Sequence, residues 1–208
     1  ACFALTIYED VGLRPMGDLD ILVPQDKFDL ALRVAQAQGY EDNLPQAAPG
    51  LRDLLNHEVC LQKPGQSFSL EIHHSLVADK TYAYAVPVDW FWLQTESLVE
   101  TGIGMRFGAI LMLSPEAQLL YAAAHAMLQH GGQLSPLRWF YDIDLLIRQF
   151  QSRLDWDMLL KQAKIFEWGS ALAAALEQTR EYFGTPLPAD VLASLTVLTD
   201  RHQAFIRQ

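Results

Sequence analysis

Apolar residues recur along this chain with two different periods. "DLDILV", Asp18 to Val23, is an apolar strand pattern with two aspartates set into it, and Pro24 stops it. From Asp26 to Gln38 the apolar set Phe28, Leu30, Ala31, Val34, Ala35 and Ala37 fits one face of an amphipathic helix, with Asp26 as N-cap and Gly39 just past its end. Alternation appears in "HEVCLQKPGQSFSLEIHHSL". There Val59 and Leu61, a "KPGQ" turn, and then Phe68, Leu70 and Ile72 predict a β-hairpin. Between these, Ala1 to Tyr8 has helical composition and "EDVGLRP" turns. "GYEDNLPQAAPG" reads as loop, with "LRDLLNH" adding a helical turn. The aromatic-rich "TYAYAVPVDWFWLQTE" reads as irregular, and "SLVETGIGMRFGAILML" as a second small hairpin.

After Leu113 the period is helical throughout. Ser114-Pro115-Glu116 supplies an N-cap followed by proline at the first helical position, opening a helix to about Gln129. Ser135-Pro136 repeats that signal for a helix to about Phe150. "LDWDMLLKQAKIFEW" and "SALAAALEQTREYF" predict two more, closed by "GTPLP", and a short helix starts at Ala189. The expected architecture is α+β. A small mixed sheet with flanking helices occupies residues 1–112, and an all-helical domain residues 113–208.

Composition narrows the class. Half of the 208 residues are hydrophobic, enough to build one large core or two small ones. No apolar run reaches the roughly 18 residues of a membrane span, because Ser114 and Pro115 interrupt the longest stretch, so no membrane partner is expected. Cys2 and Cys60 show neither disulfide nor metal spacing, which fits a reducing, cytoplasmic setting. No secretory pattern is present, and Ala1 falls inside a helical pattern without a methionine, so further sequence is expected upstream. Net charge is −10, and residues 1–112 carry 15 Asp and Glu against 7 Lys and Arg. A basic stripe for a long nucleic acid is absent from the sequence, whereas acidic residues can still meet phosphates through a divalent cation.

The chemistry centres on Asp18 and Asp20. Strands generally avoid aspartate, yet these two flank Leu19 in an otherwise buried-strand pattern and point to the same face, with Leu19, Ile21 and Val23 directed at the core. Two adjacent carboxylates repel unless a cation lies between them, and Mg²⁺ or Mn²⁺ held by oxygen donors is the simple solution. On the hairpin's return strand Leu70 and Ile72 face the core, leaving Ser69, Glu71 and His73 on the other side. If that strand lies beside the first, Glu71 joins the aspartates, and the three could bridge a triphosphate through metal. A solvent-facing Glu71 is the plain alternative.

"LRPMGDLDILVP", "LEIHHSL" and "LSPEAQLLYAAAHAMLQH…LRWFYDIDLLI" together resemble the uncharacterised bacterial nucleotidyltransferases of the DNA polymerase β superfamily, nucleotidyltransferase family 5, over roughly Ala1 to Pro188. The resemblance implies a nucleotidyltransferase core and metal-dependent transfer of a nucleoside monophosphate from an NTP. Asp18 and Asp20 match the metal-binding pair and Glu71 the third acidic position. Two departures stand out. The Gly-Ser or Lys-Gly phosphate loop of the superfamily does not occur before Arg14, so it is expected upstream or lost. The third acid is also Glu where Asp is usual. The acceptor expected is a small-molecule or protein hydroxyl. The rival reading is an inactive module of the same fold that senses nucleotide or binds a protein.

Other residues carry competing readings. Arg14 suits triphosphate oxygens or a local salt bridge equally. Arg138 reads first as the i, i+4 partner of Asp142 and second as a nucleotide contact. His73 and His74 are adjacent in a strand and so face opposite ways, and His125 and His130 miss the i, i+4 spacing. A histidine-based metal hydrolase is therefore the poorer reading. The tryptophans, Trp90, Trp92, Trp139, Trp156 and Trp168, read as packing.

Overall fold

The alternating segments form one four-stranded sheet in the computed structural model, which describes residues 2–42, 58–76, 86–97, 110–130 and 132–195. Two compact units result, essentially Phe3–Ala83 and Tyr84–Gln208. The first opens with helix α1 (Cys2–Thr6) and a 3₁₀ turn at Val11–Leu13. Strand β1 (Asp18–Leu22), helix α2 (Phe28–Ala37) and strands β2 (Glu41–Asp42), β3 (Glu58–Gln62) and β4 (Ser69–His73) follow. Sheet order is β1-β4-β3-β2. β3 and β4 are the expected antiparallel hairpin. Their turn closes through Gln66 N–H donating to the Lys63 carbonyl at 3.0 Å. Pro64 and Gly65 occupy its central positions, and Gly65 at φ +83° has the positive φ that a type II turn requires there.

β1 returns beside β4 in parallel, which needs a long crossover, and α2 lies within it. One face of the sheet packs on α2. Phe28, Ala35, Val59, Leu61, Leu70 and Ile72 form the core, with Leu19, Val23, Ala31, Leu32 and Tyr40 packed against it. Val59 stands opposite Ile72, and Leu61 opposite Leu70. The two-residue period of these strands therefore commits their alternate side chains to the other face.

Four local expectations are corrected here. Ile21 is 41% exposed rather than buried, because among the described strands β1 lies at the edge of the sheet with β4 as its neighbour. Asp26 caps no α-helix; it lies in a 3₁₀ turn (Gln25–Lys27) that α2 continues, and pairs with Lys27 at 3.1 Å. Glu41 and Asp42 leave the expected loop to pair with Gln62 and Leu61. Phe68 stops short of β4 and is 36% exposed. The expected turn in "LRDLLNH" lies outside the described residues. Gly39 does follow the end of α2, with φ +87°.

The second unit begins with a short helix, α3 (Val88–Leu93), in the span read as irregular, where Phe91 is fully buried. β5 (Thr95–Ser97) and β6 (Leu111–Leu113) pair antiparallel; β5 begins in the span read as irregular, and residues 98–109 of the expected second hairpin lie outside the described residues. α4 (Pro115–Ala124) starts as expected, with Ser114 Oγ accepting from Ala117 N–H at 3.3 Å, and runs into a π-helical turn at His125–Gln129. α5 (Leu137–Phe150), α6 (Trp156–Ile165) and α7 (Gly169–Phe183) complete it, and residues 189–195 are also helical. Ser135 does not cap α5. Its hydroxyl donates to the Ala126 carbonyl at 2.7 Å, and Pro136 takes the cap position. Among the described residues no helix is long and apolar enough to cross a membrane.

Candidate metal centre

The face of the sheet turned away from α2 gathers the acidic residues. Parallel register sets Asp18 beside Ser69 and Asp20 beside Glu71. Two further hydrogen bonds extend this ladder at its ends: Ser69 N–H donates to the Gly17 carbonyl at 3.1 Å, and Val23 N–H to the His73 carbonyl at 2.9 Å. A slip of one residue would turn every one of these side chains to the opposite face. The register is held by the apolar set Leu19, Val59, Leu61, Leu70 and Ile72 on the core side. Asp18 and Asp20 thus point together, and Glu71 stands next to Asp20 on the neighbouring strand.

At the end of β4 on this face is His73, which is buried. Its Nε2 lies 3.3 Å from Asp20 Oδ1 and 3.8 Å from Glu71 Oε2, and its Nδ1 lies 3.2 Å from Glu58 Oε2. Glu58 comes from β3, directly opposite His73. His74 faces the other way, edge-on to Phe28 with ring centroids 5.0 Å apart, as strand alternation requires. Side-chain exposure grades outward from 9% at His73 through 23% at Glu71 and 32% at Glu58 to 51% at Asp20. The cluster therefore has a buried floor and an open carboxylate rim.

Electrostatics follow from this crowding. Burial raises the Glu71 carboxyl above its ordinary value, and the charges of Glu58, Asp20 and Asp18 add to the rise, against a smaller opposing effect of His73. For His73 burial acts downward, but the hydrogen bond to Asp20 and the charges of Asp20, Glu58 and Glu71 outweigh it, so its net shift is upward. The two shifts differ in their leading cause, burial for Glu71 and the neighbouring carboxylates for His73, and both favour the protonated form.

Asp20, Glu71 and His73 each offer a donor atom within 4.8 Å of the other two. Two carboxylates and an imidazole are donors that can hold a divalent ion. Asp18 stands two residues before Asp20 on the same face, near enough for its charge to act on Glu71. Arg14, half-buried ahead of β1, has its guanidinium 5.7 Å from the Phe3 ring centroid. Arg138 belongs to the helical unit and is exposed in the first turn of α5. On that helix Asp144 and Arg148 form an i, i+4 ion pair at 2.8 Å. His125, His130 and Trp139 contact one another through their rings, with centroids 4.4–4.9 Å apart.

Sequence reasoning missed His73 and Glu58 as members of the site. For His73 the signal was available, since it shares the parity of Glu71. Glu58 needed the β3–β4 register.

No curated protein and no solved structure matches the chain. A family model described as "Uncharacterised nucleotidyltransferase" matches residues 1–184, which include the acidic sheet face and the helices through α7. By that match, and in keeping with the paired aspartates of β1 and the neighbouring acid of β4, the chain belongs to this family of nucleotidyltransferases.

Proposed function

We propose that the protein moves a nucleoside monophosphate from an NTP to a hydroxyl on a small molecule or a protein, at a divalent-cation site formed by Asp18, Asp20 and Glu71. The observation that carries this reading is the parallel register of β1 and β4, which sets Asp20 beside Glu71 with Asp18 on the same face. A bound Mg²⁺ or Mn²⁺ would neutralise triphosphate charge there and ease deprotonation of the acceptor. In the transfer the acceptor oxygen forms a bond to the α-phosphorus as the α–β anhydride bond breaks. Pyrophosphate leaves with the bonding electrons, and the hydroxyl proton passes to a nearby base.

The chain's own residues bind and orient. Asp18, Asp20 and Glu71 hold the cation, and the exposed rim at Asp20 leaves room for phosphate oxygens. Arg14, just ahead of β1, supplies a guanidinium to the triphosphate. Arg138 is a second candidate for a phosphate contact, by residue chemistry alone. The acidic balance of residues 1–112 favours a small or proteinaceous acceptor over a long nucleic acid.

The test is label transfer from each α-³²P-labelled NTP, with Mg²⁺ or Mn²⁺, to small hydroxyl compounds and to protein. Metal-dependent transfer abolished by Asp20→Asn is the expected result. Metal-dependent nucleotide binding without transfer to any acceptor would favour a nucleotide-sensing module instead.

A further inference from the structure

We propose that His73 is itself a metal ligand, the nitrogen donor of the centre, and that it makes the site favour Mn²⁺ and later transition metals over Mg²⁺. The inference rests on the cation site above and adds a residue and a selectivity to it. Donors of one small divalent ion sit about 2.0–2.2 Å from it, so neighbouring donors lie roughly 3–4 Å apart. His73 Nε2 meets that spacing twice, at 3.3 Å from Asp20 Oδ1 and 3.8 Å from Glu71 Oε2.

Orientation supplies the second argument. Glu58 lies 3.2 Å from the other ring nitrogen, Nδ1. In the metal-free protein the hydrogen bond to Asp20 puts a proton on Nε2; a bound ion would displace it, while Nδ1–H keeps donating to the Glu58 carboxylate and leaves the Nε2 lone pair for the metal. A carboxylate behind a histidine is the usual partner of a metal-ligating imidazole, fixing its tautomer and ring plane. The ring is also buried and its strand is paired on both sides, to β1 and to β3, so it is aimed rather than free to turn.

Selectivity follows from donor chemistry. Mg²⁺ prefers oxygen donors and retains water, so an imidazole adds little to its binding. Affinity of mixed nitrogen and oxygen sites rises along the series from Mn²⁺ toward Cu²⁺. Asp18, Asp20 and Glu71 alone would form an all-oxygen site in which this preference is weaker.

The purified protein, without nucleotide, would be titrated with Mn²⁺ and with Mg²⁺ by calorimetry. The Mn²⁺ complex would then be examined by electron spin-echo envelope modulation for ¹⁴N coupling. The wild type should show ¹⁴N modulation and bind Mn²⁺ at least about tenfold more tightly than Mg²⁺. His73→Gln should remove the modulation and cut Mn²⁺ affinity by about 10- to 100-fold, while Mg²⁺ affinity changes little. Glu58→Gln should weaken Mn²⁺ binding but keep the ¹⁴N signal. Mn²⁺ bound by the wild type without ¹⁴N coupling would overturn the ligand assignment, even if His73→Gln fails to fold. If Mg²⁺–NTP binding persists in that case, the site of Asp18, Asp20 and Glu71 stands and only the role of His73 falls. A folded wild type that binds neither cation, with or without NTP, overturns both.

Discussion

Replacing Glu71 by Gln keeps the shape of the side chain and removes one charge from the cluster. Its carboxylate and that of Asp20 offer donor atoms within 4.8 Å of each other. Two like charges at that distance repel by about 0.9 kcal/mol at a dielectric of about 80, and by about 3.5 kcal/mol at about 20. His73 Nε2, 3.8 Å from Glu71, attracts it with opposite sign while the imidazole is protonated. Because Asp20 is half exposed, screening keeps the net effect near the lower figure. Glu71→Gln is therefore expected to stabilise the metal-free protein near pH 8 by on the order of 1 kcal/mol. For a unit the size of Phe3–Ala83 that is about 4–8 °C in Tm.

The sign with pH is fixed by the direction of the Glu71 shift. Its carboxyl is raised by burial and by Glu58, Asp20 and Asp18, so the folded protein holds that proton more tightly than the unfolded chain. The associated stability is present below the ordinary carboxyl value of about 4.3 and is lost as pH rises through the folded value. The variant lacks this loss, so the two proteins should melt alike near pH 4 and diverge above. With Mn²⁺ the order reverses. Saturation at about 100 times Kd stabilises the wild type by about 2.7 kcal/mol, and the variant should show little of this gain. Thermal melts across pH, with and without Mn²⁺, read both effects. A variant that is less stable than wild type at pH 8 without metal, or that keeps the full Mn²⁺ shift, would refute the reasoning.

Three further outcomes follow from the same structure. Asp20→Asn removes the hydrogen bond and charge that lead the upward shift of His73. Its NMR titration in metal-free protein should move to lower pH, and the stability lost as pH rises from about 6.5 through the folded His73 value should shrink. An unchanged His73 titration would contradict this. Leu61→Ala empties a fully buried position in the sheet core and should cost about 2–5 kcal/mol in denaturant melts; a loss below about 1 kcal/mol would show that the core collapses around it. Arg148→Met removes two hydrogen bonds from the buried Asp144 carboxylate, leaving that from Thr185 at 2.7 Å. A loss of about 1–3 kcal/mol is expected, and a neutral result would mean that water replaces the guanidinium.

Alternation made much of the site legible. Asp18 and Asp20 share a face because Leu19 and Val23 are needed on the other, and Glu71 shares it because Leu70 and Ile72 fill the core. Strand order was a conjecture from chemistry, since period alone does not say which strands pair, and the β1–β4 register supplies it. What alternation could not give was depth. His73 has the parity of Glu71, yet its burial and its contact with Glu58 depend on β3 lying at the correct register on the far side. Edge position likewise exposed Ile21, which pattern alone would bury. In the helical unit the cap signal was right at Ser114, where the hydroxyl meets Ala117 N–H. It failed at Ser135, whose hydroxyl is taken by the Ala126 carbonyl of the preceding helical segment. On α5 Asp142 and Asp144 are both buried, which helical spacing alone did not show, and Arg148 is the residue that reaches Asp144.

The most direct test of the central claim is calorimetric titration of the protein with ATP, GTP, CTP and UTP, with Mg²⁺ and without, alongside the Asp18→Asn/Asp20→Asn double variant. At least one nucleotide should bind only when the cation is present, and the double variant, folded by circular dichroism, should bind none. Nucleotide binding that ignores the cation, or that survives in the double variant, would contradict it.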